Sequence, residues 1–178
     1  YKTPMAARLD SAGNVGWAVG WSTPDYGLGR QVRTDSSDNA FVLGTFRKSM
    51  VTPAGTITGY NNTYDDIFLV KLDSTGKVTR NTLLATGSKS DIGQGLLLDS
   101  AGNAWVSGHF STTATLGSTT LTSSGGEDGF VCKVDSTGAV TQVTRFGGTG
   151  NDSSRGLTMD SKGNLVITGY FSSSATFG

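Results

Sequence analysis

A four-residue phrase, Asp-Ser-x-Gly, recurs along this chain at a fixed spacing, and it limits the possible folds more than any other feature. One series reads Asp10-Ser11-Ala12-Gly13, Asp73-Ser74-Thr75-Gly76 and Asp135-Ser136-Thr137-Gly138. A second reads Asp35-Ser36-Ser37-Asp38, Asp99-Ser100-Ala101-Gly102 and Asp160-Ser161-Lys162-Gly163. Within each series the copies fall about 62 residues apart, so one unit of that length holds two of them. Each phrase lies between two apolar bursts, as Leu96-Leu97-Leu98 and Ala104-Trp105-Val106 flank the copy at Asp99. Short β-rich runs joined by a turn with glycine at the position that needs a positive φ read as hairpins. Aspartate at the first position accepts hydrogen bonds from amides further along the turn.

Each unit then supplies four strands, a to d, which in the central unit are represented by Leu96–Leu98, Ala104–Phe110, Phe130–Val134 and Val140–Phe146. The chain opens on strands c and d (1–22), continues through complete units at 23–86 and 87–147, and closes on strands a and b (148–178). Twelve strands are expected, in one repeat region. Composition agrees. Gly is 26 of 178 residues, charged residues are only 16%, and 14 basic side chains balance 14 acidic ones. A neutral chain lacks the basic excess that binds phosphate backbones, so nucleic acid is not an expected partner. No apolar run reaches the 18 to 20 residues or so of a membrane helix. The lone Cys132 has no partner for an internal disulfide.

Tandem four-stranded units are the signature of a β-propeller. The run Asp91-x-Gly93-x-Gly95-Leu96-Leu97-Leu98-Asp99-Ser100-Ala101-Gly102-Asn103-Ala104-Trp105-Val106-Ser107-Gly108 resembles the bacterial SBBP family of β-propeller repeats, and so does Thr120 to Asp135. The resemblance covers nearly the whole chain. It implies an all-β propeller of four-stranded antiparallel blades, about three of them here, in a secreted or cell-surface protein. The first unit departs from the pattern: Arg33 and Thr34 stand where the next has Leu97 and Leu98, and two extra residues separate Asp25 from Asp35. Three blades are fewer than the 4 to 8 or so that close a ring. The expectation is therefore part of a longer ring, a ring or filament completed by further copies through open blade edges, or another packing of the same hairpins. Tyr1 is in phase with Gly126, and Gly178 with Gly117.

In such a layout the a–b and c–d turns are short and share one face. The b–c connections, Arg47 to Asp65 and Ser111 to Glu127, are long and share the other face with the d–a connections. Binding residues concentrate on long loops held by a rigid scaffold. The candidate binding residues are Tyr60, Asn61, Asn62, Tyr64, Asp65 and Asp66, the repeat counterparts Glu127 and Asp128, and the d–a acids Asp25, Asp91 and Asp152. Tyrosine beside Asn and Asp suits carbohydrate or protein. The competing reading is structural: acids at one repeat phase cap loop amides and tie neighbouring blades. Three further readings accompany it. No copy has the Asp-x-Asp-x-Asp-Gly and distal Glu of a calcium loop, so no metal or cofactor is expected. The only histidine, His109, aligns with Thr45 and Tyr170 at a strand end, and no Gly-x-Ser-x-Gly elbow supplies a nucleophile, so no enzyme is expected. Cys132 aligns with Ala7 and Val70 in strand c, a slot for a small buried side chain and an inert thiol. Two function classes follow: a surface module binding glycan or protein, or a structural, adhesive repeat without a ligand.

Overall fold

The computed structural model describes residues 2–177, so Tyr1 and Gly178 and the phase assigned to them lie outside the described residues. Among the described residues there are fifteen strands and no helix. They are β1 (Met5–Leu9), β2 (Val15–Gly20), β3 (Gly27–Thr34), β4 (Ala40–Phe46), β5 (Ser49–Thr52), β6 (Gly55–Thr58), β7 (Asp66–Leu72) and β8 (Val78–Gly87). Then follow β9 (Ile92–Leu98), β10 (Ala104–Leu116), β11 (Thr119–Val134), β12 (Val140–Gly148), β13 (Ser153–Met159), β14 (Leu165–Tyr170) and β15 (Ala175–Phe177). Every ladder between them is antiparallel. Two complete four-stranded meanders result, β3-β4-β7-β8 and β9-β10-β11-β12, with half-meanders β1-β2 and β13-β14 at the two ends.

The turns form as their chemistry requires. At Asp10, Asp35, Asp73, Asp99, Asp135 and Asp160 one carboxylate oxygen accepts from the amides two and four residues on, at 2.8–3.1 Å. The fourth position has positive φ in all six, and Asp38, the one non-glycine, adopts φ 60°. Aspartate tolerates that region better than most side chains.

The middle strands are buried on both faces. All seven residues of β4, Ala-Phe-Val-Leu-Gly-Thr-Phe, are buried, which is why this stretch reads as a near-continuous apolar run rather than an alternation. Its odd and even side chains feed two different cores. Phe41 and Leu43 join Ile67, Val106, Phe130 and Cys132 between the two complete meanders. Val42 and Phe46 join Phe68, Trp21 and Met50 on the side of β1-β2. The sheets are thus stacked layers, and each fully buried Phe contributes roughly 1.5–3 kcal/mol of apolar transfer. Cys132 occupies the buried slot expected of it, and burial pushes its thiol up to about 12.

The long b–c connections differ from the expectation of loops. Residues 49–58 form the hairpin β5-β6, and β10 and β11 continue past an irregularity at Ser111/Thr113 to pair through Thr113↔Thr122 and Leu116↔Thr119. These segments are Thr-rich and turn at glycine (Gly117 has φ 60°). Their β-branched residues favour strands even without an apolar alternation. Each hairpin reaches the outer strand of the preceding unit. Ala114 and Thr115 pair with Gly87 and Thr86 of β8, β15 pairs with β12 through Phe177↔Phe146, and Val51 bridges to Ser22 just after β2.

Candidate functional site

Aspartates that are scattered in sequence meet at one repeat phase. In each of two units the acid before the second inner strand accepts, through its backbone carbonyl, the amide of the d–a acid: Asp91 N–H donates to Asp65 O, and Asp152 N–H donates to Glu127 O, both at 2.7 Å. Within each acidic pair successive residues point to opposite faces. Asp66 and Asp128 turn inward and are buried, whereas Asp65 receives the Arg47 guanidinium at 2.7 Å. Asp66 accepts from the Tyr60 amide (2.9 Å) and the Gly87 amide (3.3 Å). Asp128 accepts from the Ser124 amide at 3.2 Å and pairs with Arg145. Asp152 accepts from the Gly148 amide at 2.7 Å and the Ser172 amide at 3.0 Å. Neither oxygen of Asp91 makes a well-formed hydrogen bond. Burial, then the neighbouring Asp66 charge, pushes its carboxyl up to about 8.

The candidate residues therefore do not form one cluster. Asp65, Asp66, Asp91, Tyr60 and Tyr64 gather in one place, and Glu127, Asp128 and Asp152 gather at the equivalent place one unit on. Half-buried Asp25 lies near Arg47, whose guanidinium also covers the Tyr26 ring at 4.9 Å. Within the first group the loop before β7 is held rigidly. Asn61 Oδ1 accepts from the Thr63 and Tyr64 amides at 2.8 and 3.0 Å, and the Tyr64 hydroxyl accepts from Lys89 Nζ at 2.8 Å. Tyr60 and Asn62 are left facing solvent, with Tyr60 63% exposed.

A second polar group, built on the first strand of each meander, escaped the sequence reading. β3, β9 and β13 each carry a β-bulge at one phase, and the extra residues are Arg30, Gln94 and Arg155. Opposite each bulge stands a glycine, Gly44, Gly108 or Gly169, whose missing Cβ would collide with the carbonyl of Leu28, Ile92 or Ser153. A bulge re-aims the extra side chain, and here each one meets the residue that follows the facing glycine on the next strand. Arg30 Nε donates to Thr45 Oγ1 at 3.3 Å, Gln94 Nε2 lies 3.1 Å from His109 Nδ1, and the Arg155 guanidinium lies 5.3 Å from the Tyr170 ring centre. His109 also reaches Ser153 Oγ at 2.9 Å through Nδ1, and Glu127 Oε2 lies 3.7 Å from its Nε2. Burial holds the imidazole below its ordinary range against the pull of Glu127, and the nearby Arg155 and Arg30 charges push the same way as burial. The serine, histidine and glutamate line up like a proton relay. Ser153 is itself buried and its hydroxyl also donates to Ser154 O at 3.2 Å, and the trio links β13, β10 and β11 through polar contacts. The available sequence signal was a glycine at one repeat phase, Gly44, Gly108 and Gly169.

No protein-family model matches the chain, and no curated protein is significantly similar to it in sequence.

Proposed function

We propose that this chain is a non-catalytic module of a secreted or cell-surface protein of the SBBP type, binding glycan or protein through the face that carries its hairpins and d–a loops. In this reading the complete meanders are blades of a β-propeller. Two four-stranded sheets of identical strand order, stacked through a shared apolar core, support it. The observation that carries the binding role is the Tyr60 loop. An aromatic ring and an amide side chain, Tyr60 and Asn62, face solvent on a backbone fixed from below by Asp66 and by the Asn61 turn. Tyrosine offers large contact area and a hydroxyl at little conformational cost, and a loop already held in place saves ordering entropy on binding. The chain needs no cofactor for this role. The test is a glycan array, paired with a screen of surface proteins, on the intact chain. Binding that disappears on the double substitution Tyr60→Ala, Asn62→Ala supports the reading, and silence on both screens overturns it.

The second reading, a structural or adhesive repeat without a ligand, draws on the pairing of each hairpin with the preceding unit. It predicts that silence, together with assembly into larger particles.

A further inference from the structure

Positions that are equivalent in the repeat differ sharply in exposure, and the difference maps onto the two half-meanders. Phe46 and Phe110 are fully buried, while their counterpart Phe171 is 59% exposed. Phe68 and Phe130 are fully buried, while their counterpart Met5 is 59% exposed. Leu9 and Ile167 repeat the contrast against Leu72 and Val134, and against Val42 and Val106.

Two open grooves lie beside these residues. One, of about 590 Å³, runs between β1 and the β3-β4 pair and is lined by Ala7, Leu9, Val32 and Val42. Between the complete meanders the corresponding space is filled by the first two strands of a unit, with Phe41 and Leu43 packed on Ala104 and Val106. The other groove, of about 470 Å³, lies between β12 and β14 and is lined by Val131, Phe146, Leu165 and Ile167. Its internal counterpart is filled by the last two strands of a unit, among them Cys132, Val134 and Val143. Each groove is therefore shaped for the strand pair that the opposite end carries. Along the sheets, one edge of β1 and one edge of β14 have no ladder partner among the described residues.

We propose that the occupant of each groove is a second copy of this chain, with β14 of one copy pairing antiparallel with β1 of the next. The internal interface fixes the register. Val106↔Cys132 and Ala104↔Val134 in one meander, and Val42↔Val70 and Ala40↔Leu72 in the other, both translate to Ile167↔Ala7 and Leu165↔Leu9. A one-residue slip would turn every apolar side chain to the wrong face. The contact is head-to-tail, so it closes into a ring when the rotation permits and otherwise runs on as a filament. It is independent of whether the Tyr60 face binds a ligand.

Native mass of the 178-residue chain, measured by light scattering up to about 100 µM, tests it. The expected result is two or more copies per particle, reduced to a single chain of 18.4 kDa by I167D or F171D, with the far-ultraviolet β signature kept because both side chains already face solvent. Paired cysteines test the register. A7C with I167C should form an intermolecular disulfide, since directly opposed Cβ atoms lie about 4.5–5.5 Å apart, whereas the slipped pair A6C with I167C should not. A single-chain mass for the unsubstituted protein overturns the proposal. So does an assembly that survives both aspartate substitutions, or cross-linking that prefers the slipped pair.

Discussion

The buried acids of the two complete meanders occupy the same phase and are solved differently. In the second meander Arg145, on β12, pairs with Asp128, and two backbone amides hold Asp152. In the first, the residue at the arginine's place on β8 is Leu83: Phe68 pairs with Leu83 as Phe130 pairs with Arg145. With no cation opposite, burial raises the Asp66 carboxyl above its ordinary range, and Asp91 beside it is pushed up to about 8. One unit sets a guanidinium against its buried charge, while in the other burial and a second acid favour the proton. Equivalent residues in a repeat thus carry different electrostatics when one partner, distant in sequence, changes.

The largest expected effect tests the proton. An unfolded aspartate titrates near 3.9, and Asp91 in the folded chain near 8. Below about pH 4 both states hold the proton and the site costs nothing. Between these values the unfolded chain releases its proton and the native chain keeps it, so stability falls as pH rises, by on the order of 1 kcal/mol per pH unit at the steepest, and levels off above 8. Urea midpoints from pH 4 to 9 should show this fall, and D91N should flatten it. An unchanged slope in D91N would break the comparison. Next comes the guanidinium. R145L gives the second meander the first one's side chain but leaves Asp128 buried beside Asp152, and should cost about 3 kcal/mol at pH 7, read from the same denaturation curves. A loss below 1 kcal/mol would mean that Arg145 is not what neutralises the site. The converse, L83R, places a cation beside Asp66 and should stabilise the chain at pH 8 by about 1 kcal/mol; by lowering the native Asp91 titration toward the unfolded one it narrows the pH window over which stability is lost and so makes the fall smaller, and nuclear magnetic resonance titration of the carboxyl carbons reads this directly. The smallest effect belongs to the exposed ring that the first site supports. Y60A should change stability by no more than about 0.5 kcal/mol while removing the contact surface assigned to ligand.

How much of this was legible depended on how local the cause was. The six Asp-Ser-x-Gly turns were readable because each is closed by contacts within four residues, and all form as expected. The meander order followed from the apolar bursts between them. The hairpin at 49–58 was not readable, because its buried residues, Met50, Thr52 and Ile57, are few and of mixed polarity, and its strands pair with each other and bridge to the neighbouring unit. Nor were the bulges at Arg30, Gln94 and Arg155: a bulge is a mismatch between two paired strands and has no composition of its own. Asp91 and Asp152 are the same residue at the same phase, yet two amides hold Asp152 while Asp91 has no well-formed partner, and Leu83 stands on β8 where β12 has Arg145; these differences lie on other strands and loops, out of reach of a local pattern.

The hairpin that reaches back to the preceding unit also sets an order in time. The outer strand β8 is complete at Gly87, but its edge is covered only when Ala114 and Thr115 have left the ribosome, and β12 waits in the same way for Ala175 to Phe177. Each unit is finished by the one synthesised after it. During synthesis the exposed edge therefore always belongs to the newest complete sheet, and it travels along the chain from the first unit to the last.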